Sequence, residues 1–289
     1  MTTFDKLWAN GAFRFGAVVL SLVMIMALLA PMLGTVDPAQ MDYNNINRAA
    51  GFAGNFTLTD GSSVAHHFWL GSDNFGRDLY SRVIYGARVS LVVAASTAAV
   101  ALLIGVLVGM LAGYFRGADL LLMRFMDGLM AIPAILLAIA LVAALGASIT
   151  TVVIAIAIPE IPRVSRLVRS LVLTLREEPF VEAARALATP TSVILMRHIL
   201  PNAMAPLLVQ GTFVAASAVL TEAILSFLGL GLPADIPTWG NIMAEGRTQF
   251  SQYPGNVLFP ALFLVPTVLA FNLLGDGLRD VLDPKFAKR

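Results

Sequence analysis

Cysteine is absent from the chain, and charge is scarce: Asp, Glu, Lys and Arg make up 13% of 289 residues. Without cysteine there is no disulfide frame, no iron–sulfur cluster and no cysteine-bound zinc. A soluble domain carries about 25% charged residues, so the shortage argues against one. The only lysines are Lys6, Lys285 and Lys288, and none follows a glycine. A P-loop, G-x-x-x-x-G-K-[ST], therefore cannot be written, and the chain is not expected to be an enzyme that hydrolyses ATP or to hold a cofactor. The formal net charge is +1, with no basic face from which to argue nucleic-acid binding. His66 and His67 are adjacent, so they do not share a face in a strand, and no third ligand is near. No metal site is expected. In "GSDNFGRD", position three counted from Asp73 is Phe75, where a calcium loop needs an oxygen ligand.

Hydrophobic residues supply 58% of the chain. A spanning helix needs about 20 mostly apolar residues. Residues 15–33 meet that length, whereas a cleavable signal peptide has an apolar region of about 7–15. Residues 89–115 are free of charge. So are residues 128–159, a run of about 48 Å as one helix. That is too long for one crossing of a core about 30 Å thick and too short for two. The run reads as a hairpin turning near Gly146-Ala147-Ser148. The predicted fold is an all-α integral membrane protein with six transmembrane helices.

The predicted organisation has two parts. An N-terminal region, 1–88, holds a first span at about 15–33 and a polar extracytoplasmic segment at 34–88. A core, 89–289, holds spans at about 89–113, 121–145, 148–169, 203–228 and 257–276, with a polar insert at 171–202. Six crossings put both termini on one side. If that side is the cytoplasm, 14 of the 19 Lys and Arg lie there, as the positive-inside rule asks.

The insert contains "EAARALATPTSVILMRHILP", residues 182–201. Pro179 suits the first turn of a helix, and Glu182 lies near its positive end. Phe180, Ala184 and Leu187 fall on one face. Thr189-Pro190 reads as the start of a second helix. A short helix with a small-residue, apolar face fits a partner's groove.

Those residues resemble the EAA loop of ABC importer permeases. Glu182, Ala183 and Ala184 match its opening, and Ile199, Leu200 and Pro201 match its tail. Ala188 stands where that family usually has glycine, so the turn there is expected to fall to Thr189-Pro190. "HFWLGSDNFGRDLYSRVIYGARVSL" (67–91), "EAILSFLGLGLPADIPTWGNIM" (222–243) and "NLLGDGLRDVLDP" (272–284) are similar to the C-type subunit of the dipeptide, oligopeptide and nickel branch.

The resemblance implies a MetI-like ABC permease fold in the bacterial inner membrane. It implies pairing with a second, related permease as a heterodimer. Two cytoplasmic ATPase subunits would dock on Glu182, Ala183, Ala184, Arg185, Leu187, Ala188 and Pro201. A periplasmic substrate-binding protein would deliver di- or oligopeptides, with nickel complexes or glutathione-like peptides as the alternative cargo. An ion-coupled secondary transporter is the rival class, but it needs acids near the midplane, where the spans are almost bare of them.

Other ionisable residues are weighed singly. Arg124 and Asp127 are spaced to pair on one helix. Glu160 sits between Pro159 and Pro162. Glu222 either lines the translocation path at the outer gate or caps the backbone that follows. Asp276, Arg279, Asp280 and Asp283 form a charge ladder. "GLGLPADIPTWG" reads as a surface loop with Trp239 at the membrane interface, or as a re-entrant element.

Overall fold

The computed structural model describes residues 3–58 and 61–282. A short helix α1 (Thr3–Ala9) leads into α2 (Gly11–Leu28). α2 starts where the Asn10 side chain accepts the Phe13 amide at 3.0 Å, filling one of the free amides of a helix start. It stops before the expected limit of 33 because Ala30–Met32, which includes Pro31, forms a 3-10 turn.

The polar segment that follows corrects the all-α expectation. β1 (Phe52–Thr57) and β2 (Ser63–Phe68) pair antiparallel, Phe52 opposite Phe68. Phe56 and Phe68 are buried in a cluster with His66. Asp42 pins the hairpin by accepting from the Thr57 amide at 2.9 Å and from Asn45 Nδ2 at 2.8 Å.

Asp78 caps α3 (Leu79–Tyr114), its Oδ2 accepting from the Ser81 amide at 2.8 Å. The helix therefore begins earlier than the expected second span at 89. Its 36 residues extend about 54 Å, well beyond a hydrocarbon core of about 30 Å.

The expected span at 121–145 is broken. α4 (Arg116–Met130) and α5 (Ala134–Leu145) meet at 87° across Ala131-Ile132-Pro133. A proline disfavours helical backbone in the residue before it, so Pro133 ends α4. The turn expected at Gly146–Ser148 is present: Gly146 has φ 85°, and Ser148 caps α6 (Ile149–Leu175).

The insert carries α7 (Pro179–Ala186) and α8 (Thr191–Val193), and α8 runs through a π-helical turn, Ile194–Ile199, into α9 (Leu200–Phe227). α10 (Trp239–Gly246) and α11 (Gly255–Leu282) complete the chain. Asp276, Arg279 and Asp280 are exposed near the end of α11. Asp283 of the expected ladder lies outside the described residues.

Four stretches are long and apolar enough to cross a membrane: α2, α3, α8 continued through α9, and α11. The bent α4–α5 pair makes a fifth if it counts as one. Among the described residues, length and composition thus support four or five spans, not the expected six. α6 falls short because Glu160, Arg163, Arg166 and Arg169 interrupt its apolar run.

The tightest packing joins α3 to α6. Gly105, Gly109 and Gly113 face Val164, Val168 and Val172, and a Cβ on Gly109 would lie 2.5 Å from Val168 Cβ. Lipid tails are as apolar as valine, so this pairing draws on close van der Waals contact, which small residues permit. Gly16 against Ala270 and Leu274, and Gly277 against Phe13, repeat the device between α2 and α11.

Candidate functional site

The insert is anchored before it begins. At the end of α6, Arg176 Nη1 donates to the Gly113 carbonyl at 3.0 Å. Pro179 then occupies the first turn of α7, where its missing N–H is harmless. Val181 and Ala184 are buried in the same cluster as Ile194, Leu195 and Ile199. The expected apolar face is therefore divided. Ala184 turns inward with Val181, whereas Phe180 and Leu187 are exposed, Leu187 at 82%. Glu182 and Ala183 are exposed as well. Arg185 lies over the Tyr114 ring, 5.2 Å from its centroid.

The turn after α7 departs from expectation. Ala188 itself adopts φ 53°. The Ala188 amide donates to the Arg185 carbonyl at 2.9 Å and the Thr189 amide to the Ala184 carbonyl at 3.0 Å. That pair of bonds is the Schellman pattern, whose left-handed residue is usually glycine. An alanine there costs about 1–2 kcal/mol. Thr189-Pro190 does not make the turn; Pro190 instead precedes α8 directly. Pro201 is exposed in the first turn of α9. Its lack of a donor coincides with the wider turn before it, where the Leu200 amide reaches back to Leu195.

Each arginine of the α6 row has an acid. Arg163 pairs with Glu160 at 3.0 Å, Arg166 with Asp127, and Arg169 holds Asp119 through two bonds. Asp127 therefore pairs with Arg166 of α6 and not with Arg124, and Asp119 and Asp127 tie α4 to α6. Glu160 also accepts from Ser217 Oγ at 3.1 Å, linking α6 to α9.

The opposite end of α3 carries a closed ring of charges. Asp73 Oδ2 takes Arg77 Nε at 2.7 Å and Arg82 Nη1 at 3.0 Å; Glu245 Oε2 takes Arg77 Nη2 and forms an ion pair, without a hydrogen bond, with Arg82 Nη2 at 3.1 Å. Asp73, Arg77 and Arg82 are buried. Burial pushes Glu245 up to about 7, and Asp73 adds to the rise, while the Arg77 guanidinium opposes it. Burial likewise raises Asp73 against the pull of Arg77. The ring joins the turn 71–78, α3 and α10, and a sequence reading cannot see it because Glu245 is so distant in the chain.

Trp239, expected at the membrane interface, is fully buried and donates Nε1 to the Val83 carbonyl at 3.1 Å. Asn241 Nδ2 donates to the carbonyls of Leu232, Pro233 and Ile236, so the 228–238 loop is folded onto α10. Glu222 is fully buried beside it, Oε1 accepting from Ser226 Oγ at 2.7 Å. The two histidines part as their adjacency requires: His66 packs against Phe56 and Phe68, and His67 against Trp69. Sequence reasoning missed Arg82, Glu245, Tyr114 and the glycine row. Of these, only the row left a local signal, glycine at every fourth position.

Comparison with known proteins agrees with this architecture. The inward-facing MetNI methionine ABC transporter has a chain that superposes with a TM-score of 0.56 at 20% identity, over 69% of this chain and 95% of that one. This shows the MetI-like permease fold. The dipeptide transport system permease protein DppC of Alkalihalophilus pseudofirmus is 41% identical over 98% of this chain and 88% of its own. The glutathione transport system permease protein GsiD of Escherichia coli is 43% identical over 93% of this chain and 85% of its own. Residues 101–288 match the model of the binding-protein-dependent transport system inner membrane component. The chain belongs to that family, the inner-membrane permease subunits of ABC transporters, which work with separate ATPase and substrate-binding partners.

Proposed function

We propose that this permease serves an importer of di- or oligopeptides. Glutathione, the cargo in the name of one relative, is itself a short peptide and falls within that class. The chain pairs with a second, related permease, crosses the membrane six times and keeps both termini in the cytoplasm. α6 supplies the remaining crossing, with its arginine row at the cytoplasmic end. Residues 34–78 then face the periplasm and meet the binding protein.

The observation that carries the reading is the shape of the insert. α7 is held to the body by Val181, Ala184 and Arg185, and it leaves Glu182, Ala183 and Leu187 facing outward. In the proposed complex these outward residues, with Ala188 and Pro201 shaping the ends, seat in a cleft of an ATPase subunit. Glu222, buried near the end of α9 and bonded to Ser226, belongs to the outer gate. Reconstitution with both ATPases, the second permease and the cognate binding protein tests the function. Labelled peptide should accumulate in vesicles only with ATP. Accumulation driven by a proton gradient without ATP would overturn the reading.

A further inference from the structure

α3 is a single helix from Leu79 to Tyr114. Near its start, Arg82 is locked into the ring with Asp73 and Glu245. Its last two residues lie under the insert. Arg176, before α7, donates to the Gly113 carbonyl, and Arg185, within α7, covers the Tyr114 ring. Two cations from the first half of the insert thus converge on the end of α3. Tyr114 is half-buried and packs against the main core. Along the helix, Gly105, Gly109 and Gly113 interlock with the valines of α6, so α3 cannot slide without moving α6. Packed elements of this kind shift as bodies instead of deforming continuously.

We propose that Tyr114 is a positioning residue for ATP-driven transport. Through its ring, Arg185 passes displacement of α7 to α3, and α3 delivers it to the ion-pair ring at its far end. This rests on the reading that α7 docks an ATPase subunit. Tyr114 makes no part of that docking face, so the two ideas separate experimentally.

The test uses the complete transporter, with its binding protein loaded from a casein digest. Tyr114→Leu keeps apolar bulk and removes the ring; Tyr114→Phe keeps the ring. Tyr114→Leu should retain the ATPase subunits and their basal hydrolysis. Stimulation by loaded binding protein should fall about five-fold, matching a cation–π contact of about 1 kcal/mol. Tyr114→Phe should restore it. The proposal is overturned if Tyr114→Leu stays fully stimulated, if it sheds the ATPase subunits, or if Tyr114→Phe fails equally. In parallel, Ala183→Trp that keeps the subunits bound would sink the docking reading instead.

Discussion

Arg82 Nη2 and Glu245 Oε2 lie 3.1 Å apart, closing a ring of charges between α3 and α10. Both residues are drawn from distant parts of the chain, and Arg82 is 1% exposed. Removing one partner of a buried ion pair strands the other charge, at about 3–5 kcal/mol. At pH 8, above the raised pKa of Glu245, where the carboxyl is ionised, Glu245→Ala should therefore lower the melting temperature of the purified permease sharply. Glu245→Leu should do the same, since the loss is of charge compensation and not of volume.

The same site predicts a pH dependence. Glu245 sits at about 7 in the fold against 4.5 for a free glutamate. A carboxyl raised by folding binds its proton more tightly in the native state. Its contribution is full below about 4.5 and is lost as pH rises through about 7. Melting temperature should fall between pH 5 and pH 8, and Glu245→Gln, which cannot titrate, should flatten that slope. A slope equally steep in Glu245→Gln would count against the assignment.

Gly109→Ala should separate α3 from α6. The added Cβ meets Val168 Cβ at 2.5 Å and the Ser165 carbonyl oxygen at 2.6 Å, and such overpacking costs about 1–3 kcal/mol. Gly117→Ala is the control, because nothing lies within 4 Å of its Cβ. Thermal melts of the two variants in detergent check the difference.

Ala188→Gly should stabilise the insert. Glycine takes positive φ without steric penalty, which relieves about 1 kcal/mol of left-handed strain. Hydrogen exchange reports it: the amides of Ala188 and Thr189, which close the turn, should exchange about five-fold more slowly.

These features differ in how far the sequence disclosed them. The helices α2, α3, α9 and α11 were legible because burial in lipid demands long apolar runs. The Gly146–Ser148 turn was legible because an uncharged run fits neither one crossing nor two. The break at Ala131–Pro133 was hidden, since the uncharged run that starts at 128 continues straight through it. The strands at 52–57 and 63–68 were hidden because six residues with turn formers around them also read as loop. Pairing was least legible: Asp127 had Arg124 at helical spacing, and only the packing of α4 on α6 gives it Arg166. In the insert, the resemblance gave Glu182, Ala183 and Leu187 as part of a docking set that also took in Ala184, Arg185, Ala188 and Pro201. The inward turn of Ala184 depends on Ile194, Leu195 and Ile199, which return from beyond the turn.

The central claim is that an ATPase drives this permease through the exposed face of α7. The most direct measurement places tryptophan at Ala183, which faces outward, and compares it with wild type in membranes that contain the whole complex. Ala183→Trp should insert normally, lose co-purifying ATPase subunits and lose ATP-dependent peptide uptake at least about ten-fold. A correctly inserted Ala183→Trp permease that keeps its ATPase subunits and full peptide-stimulated hydrolysis would contradict the claim.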